Sequence, residues 1–156
     1  MRTKKQKIWA CVWSVVAVVA VAAIGGVFVA LGKKWFSGLE RPDQFPPDYV
    51  IPIMWTIIYI VFAIDMCLFV VKTGFPKKVL ALLIVNGIQN VLWCLLFFAL
   101  GQTFLGLVVV VLVTISAFCL IFEMAKHSMV SFYLTAIYPI WTCIATCLNL
   151  AMWILN

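Results

Sequence analysis

The sequence predicts an all-α integral membrane protein, a five-transmembrane-helix bundle forming one domain over residues 1–156. Three observations predict it. The hydrophobic fraction is 67% and only 10% of residues are charged, whereas soluble domains run nearer half apolar and a quarter charged. Mean hydropathy is +1.20, and a soluble chain of this size cannot hide so much apolar surface in its core. Apolar runs long enough to cross ~30 Å of hydrocarbon recur at 8–31, 50–71, 79–100, 104–125 and 129–155. The apolar/polar alternation of a membrane β-barrel is absent, which leaves helices to satisfy the backbone in lipid.

The first run follows the basic head Met1-Arg-Thr-Lys-Lys-Gln-Lys, and Ala20-Val-Ala22 resembles a cleavage site. The apolar stretch continues to Leu31, so an uncleaved first helix is expected. Gly25-Gly26 and the Ala22-x-x-x-Gly26 spacing would allow close helix approach there. The connection over 32–49 holds Trp35, Phe36, Phe45 and Pro46-Pro47. Its prolines make it semi-rigid, as a lid over a cavity or as an interfacial aromatic belt.

The second span carries an aromatic stripe, Trp55, Tyr59, Phe62 and Met66, and one acid, Asp65. A charge at that depth is costly, so Asp65 should face the interior, pair, or be protonated. In the third span Asn86, Gln89 and Asn90 share a face that Trp93 and Phe97 extend. Amides on a helix face in lipid either glue helices together or line a ligand cavity. The fourth run ends near Lys126 and His127, the only histidine, read as interfacial and without a metal role. The fifth shows Tyr138, Trp141, Thr142, Ala145, Asn149 and Met152 on one stripe. Three such helices could enclose a pocket for a large flat apolar ligand, stacked on rings and oriented by amides.

Basic residues number eight on one side (Arg2, Lys4, Lys5, Lys7, Lys72, Lys77, Lys78, Lys126) and three on the other (Lys33, Lys34, Arg41). That imbalance places the N-terminus in the cytoplasm and the C-terminus outside. The net charge of +6 therefore serves orientation in the membrane, and no nucleic-acid surface is expected. The six cysteines all fall in apolar runs without a C-x-x-C pair, where thiols behave as small hydrophobes. No metal set, nucleophile–base pair or phosphate loop is visible, which argues against an ordinary hydrolase or transferase.

Five motifs stand in order along the chain: Trp35-Phe36-x-x-Leu39-x-Arg41-Pro42, Pro46-Pro47, Pro52-x-x-Trp55-x-x-x-Tyr59, Asn90-x-x-Trp93-x-x-x-Phe97-Phe98, and Tyr138-x-x-Trp141-x-x-x-Ala145-x-x-Leu148-Asn149 with the closing Leu155-Asn156. Together they resemble the TspO/MBR family (translocator protein, tryptophan-rich sensory protein). The resemblance implies a bacterial cell-membrane protein, often a homodimer, whose first loop caps a cavity. It implies protoporphyrin, haem or similar flat ligands and no required cofactor. The residues it implies for the ligand are Trp35, Pro47, Trp55, Tyr59, Asn86, Asn90, Trp93, Tyr138, Trp141, Ala145 and Asn149. Some family members degrade porphyrin in light, and there Trp55 and Trp141 would be the redox-active indoles. A small proton-linked transporter using Asp65 is the further alternative. Asp43, Gln44 and Phe45 stand where many relatives carry aromatic residues, and no Lys or Arg follows Lys126 to complete the sterol pattern.

Overall fold

A capping box starts the first helix: Thr3 Oγ1 accepts the Gln6 N–H, and the Gln6 side chain accepts the Thr3 N–H at 2.9 Å. The computed structural model describes residues 3–156; Arg2, counted above among the basic residues, lies outside them. The helices are α1 (Lys4–Ser37), α2 (Val50–Thr73), α3 (Lys77–Cys94, continued by one π-helical turn, Leu95–Ala99), α4 (Thr103–Ala125), α5 (Met129–Thr135) and α6 (Ile137–Leu155). With α5 and α6 taken as one interrupted span, five segments are long and apolar enough to cross a membrane. Their lipid-facing sides are lined with exposed Ile, Leu, Val and Phe.

Helix α4 is the centre of the bundle, packed on α3, α6, α5 and the π turn, while α1 lies outside against α2, α3 and the π turn. Two apolar clusters fill the interior. The larger contains Ile58, Trp93, Phe97, Phe98, Tyr138 and Trp141, and the residues packed on it include Trp35 and Phe45. The smaller, toward the start of α3 and the end of α4, joins Met66, Phe69, Val79, Leu120 and Met124.

Three expectations need correction. The first helix runs on to Ser37, so the loop begins at Gly38, and Lys33, Lys34, Trp35 and Phe36 belong to α1. No breaker intervenes, because Gly32 is held in the helix by packing against the Phe98 backbone, where a Cβ would have no room. Of the Gly25-Gly26 pair, Gly25 makes the expected close approach, against Cys94, but Gly26 meets nothing within 4 Å, and the tightest approach is at Gly32. Finally, the last span breaks at Ala136. Pro139 has no N–H to return to the Thr135 carbonyl, so the helical ladder lapses one turn earlier.

Candidate ligand cavity

Helix α2 brings Ile51 and Trp55 to the cavity, one turn apart, and α6 brings Trp141, Ala145, Leu148, Asn149 and Met152 along one face. Helix α3 supplies Trp93. The π turn then supplies two successive rings, Phe97 and Phe98, because its Leu100 N–H bonds back to the Leu95 carbonyl at 3.0 Å and inserts a residue into the helical register. Phe36 from α1 and Phe45 from the loop close the top. The free space between them is about 20 Å³, room for roughly one water molecule. The rings fill it themselves: Trp55 lies 5.6 Å from Trp93 and 6.2 Å from Tyr138, and Phe97 meets Phe98 edge-on at 4.9 Å.

The polar atoms in the wall are few. Trp93 Nε1 donates to Asn149 Oδ1 at 3.1 Å, and Asn149 Nδ2 donates to the Ala145 carbonyl at 2.8 Å. The indole N–H of Trp141 is buried and has no hydrogen-bond partner.

One turn deeper, a polar chain crosses four helices. Tyr59 Oη donates to Asn90 Oδ1 (3.1 Å), Asn90 Nδ2 to Tyr138 Oη (3.4 Å), and Tyr138 Oη to Asn86 Oδ1 (2.8 Å). Asn86 Nδ2 then donates to Ser116 Oγ (2.8 Å), and Ser116 Oγ to Gln89 Oε1 (2.6 Å). Each group donates forward, so the chain has a single sense and fixes α2, α3, α4 and α6 against one another.

The loop over 38–49 is fastened at two points. Arg41 stacks on Phe36 and Phe45, with its guanidinium carbon 4.6 and 5.1 Å from the ring centroids. It also pairs with Asp48 and donates to the Phe36 carbonyl at 2.7 Å. At the other point the Asn156 side chain clasps the Glu40 backbone, accepting its N–H at 2.9 Å and donating to its carbonyl at 3.1 Å.

Of the residues assigned from sequence, Trp55, Trp93, Trp141, Ala145 and Asn149 line the cavity. Tyr59, Asn86, Asn90 and Tyr138 stand in the polar chain behind it. Two lie outside the wall. Trp35 packs edge-on against Phe97 at 5.5 Å and lies over Gly101, whose φ of +63° and contact with the indole both favour glycine. Pro47 is exposed, and its carbonyl accepts the Val50 N–H that opens α2. Ile51, Phe98 and Leu148 also line the space without having been singled out for the ligand. Their signal was their register, Ile51 one turn before Trp55 and Leu148 two turns after Trp141.

The family model described as TspO/MBR family matches residues 14–154. This chain belongs to the TspO/MBR family. A tryptophan-rich protein TspO of Archaeoglobus fulgidus is 32% identical over 147 residues, covering 92% of this chain and 94% of that one. Protein CrtK of Rhodobacter capsulatus is 29% identical over 144 residues, covering 90% and 89%. A tryptophan-rich protein TspO of Bacillus cereus is 28% identical over 134 residues, covering 85% and 88%. Membership of the TspO/MBR family and the five apolar spans together make the chain an integral membrane protein.

Toward the opposite end of the bundle from this cavity, Asp65 on α2 is fully buried, with the Ser131 side chain of α5 as its polar neighbour. Of the basic side chains near that end, Lys126 pairs with Glu123 at 2.6 Å and Lys72 is exposed. Among the described residues no group of three or more His, Cys, Asp or Glu is placed to hold a metal ion.

Proposed function

We propose that the chain is a membrane receptor or regulator that binds a tetrapyrrole, or a similar flat hydrophobic ligand, in the cavity beneath its 38–49 loop. The observation that carries this reading is the convergence of Trp55, Trp93 and Trp141, from three helices, on one narrow aromatic space. Aromatic walls hold a flat ring system by stacking and area burial, and Asn149 with the free Trp141 N–H would orient its polar edge. A drug-sized ligand needs a pocket of about 300–1,000 Å³, so binding requires the loop to lift and the rings to part. The proposal includes a bacterial cell membrane, a cytoplasmic N-terminus and a homodimer.

The test is titration of detergent-purified protein with protoporphyrin, following tryptophan fluorescence. Saturable micromolar quenching is expected, weakened about tenfold or more by Trp55→Phe or Trp141→Phe and unchanged by Trp13→Phe, whose ring is 64% exposed on α1. Quenching that does not saturate, or that all three variants share equally, would remove the ligand class. Trp55 and Trp141 border the same space, which suits light- and oxygen-dependent degradation of a bound porphyrin. Bleaching of the ring under illumination, lost in both variants, is the outcome that reading requires.

A second reading rests on Asp65, a carboxyl fully buried within a membrane span, which suits a proton-linked transporter. In that case Asp65→Asn abolishes proton-driven uptake into liposomes while protoporphyrin quenching stays intact. Equal uptake by wild type and variant would dismiss it.

A further inference from the structure

The sequence treats the six cysteines alike, yet the fold does not. Cys94 is buried, while Cys119, Cys143 and Cys147 are exposed on the outer faces of α4 and α6. Cys11 and Cys67, 56 residues apart, face each other across the α1–α2 contact. Their contacts are reciprocal: the Cys11 thiol donates to the Cys67 carbonyl at 3.6 Å, and the Cys67 thiol donates to the Cys11 carbonyl at 3.8 Å. Each sulfur thus lies against the other residue's backbone, so the two thiols meet in one contact between neighbouring helices.

The depth of the pair matters as much as its geometry. Lys7 lies four residues before Cys11 and Lys72 five after Cys67, about 6 and 7.5 Å along their helices at 1.5 Å per residue. Lysines at helix ends reach for the head groups. Both thiols therefore sit at one level, about a turn inside the membrane surface, and both are partly exposed. Buried thiols are inert; partly accessible ones at a wet boundary meet soluble oxidants.

We propose that Cys11 and Cys67 form an oxidisable dithiol, a modification site that closes to a disulfide and ties α1 to α2. The oxidant class is a small-molecule disulfide. The thiolate of one cysteine attacks a sulfur of that molecule, forming a mixed disulfide and releasing one small thiol. The second cysteine's thiolate attacks the protein-bound sulfur, the protein disulfide forms, and a second small thiol leaves. The two protein protons end on the two released thiols, and two electrons reduce the small disulfide. The link joins the helices that flank the 38–49 loop, at their ends remote from it. It stands independently of the ligand proposal.

The experiment exposes the full-length protein in nanodiscs to oxidised glutathione, then counts free thiols by maleimide mass shift and maps linked peptides without reduction. The expected result is a fall from six thiols to four, a Cys11–Cys67 peptide, recovery with dithiothreitol, and a melting temperature several degrees higher only when oxidised. A Cys143→Ser/Cys147→Ser protein should still lose two thiols, whereas Cys11→Ser and Cys67→Ser should each form no intramolecular link. Six thiols surviving, glutathione adducts without an internal link, or thiol loss that persists in a Cys11→Ser/Cys67→Ser protein would each overturn the proposal.

Discussion

Tyr138 occupies the position in the polar chain where a single atom serves two partners: its hydroxyl accepts from Asn90 and donates to Asn86. Tyr138→Phe would leave both buried amides short of a partner. Polar contacts between membrane helices average about 0.6 kcal/mol and reach about 1.7, so losing two linked ones should cost about 1–2 kcal/mol. Tyr59 ends the chain and is half-buried, with one bond to Asn90; Tyr59→Phe should cost about 0.6 kcal/mol or less. Reversible unfolding in detergent would rank the two. Equal losses would mean that the second hydrogen bond of Tyr138 contributes nothing.

At the scale of elements, glycine placement on α1 separates packing from mere propensity. A Cβ at Gly32 would run into the Phe98 backbone, which cannot rotate away, whereas Gly26 faces open space. Gly32→Ala should therefore lower stability by about 1–3 kcal/mol as α1 is pushed off the π turn. Gly26→Ala should raise it by about 0.5–1 kcal/mol through helix propensity alone. Melting curves of opposite sign are the signature, and a Gly32→Ala protein that melts like wild type would refute the contact. The spacing read from sequence pointed to Gly26, because Ala22-x-x-x-Gly26 counts residues without knowing which face turns inward. The same blindness hid the π turn: Phe97 and Phe98 are adjacent, and an ideal helix would send them some 100° apart, so only one was expected inside. The spans themselves were legible because lipid demands about twenty apolar residues wherever a helix crosses. The aromatic and amide stripes on α2, α3 and α6 were legible for the same periodic reason. Ile51 and Leu148 were not, since aliphatic residues look alike whether they face a cavity or the membrane.

For the whole molecule, the closed state sets a kinetic expectation. A cavity of about 20 Å³ admits no flat ligand, so the space must widen, and on the proposed reading the loop opens before or during binding. The latch that can be removed without changing a wall side chain is Asn156, whose amide clasps Glu40 and also donates to the Met152 carbonyl at 3.0 Å. Arg41 is less suitable, because its stacking on Phe36 and Phe45 also shapes two wall residues. Asn156→Ala deletes two hydrogen bonds to loop backbone, each about 0.5–1.5 kcal/mol net. The Glu40 groups then turn to water, so the loss falls on the closed state. Raising the open population by about 1.4 kcal/mol is a factor of ten, and an opening-limited association rate should rise by about that much. Stopped-flow tryptophan quenching with protoporphyrin would read it as a roughly tenfold faster association at low ligand. Dissociation should quicken by a similar factor if the latch re-forms over bound ligand, leaving the equilibrium affinity little changed. An association rate equal to that of wild type would mean that the ligand enters between helices from the bilayer, and that the loop does not gate the cavity.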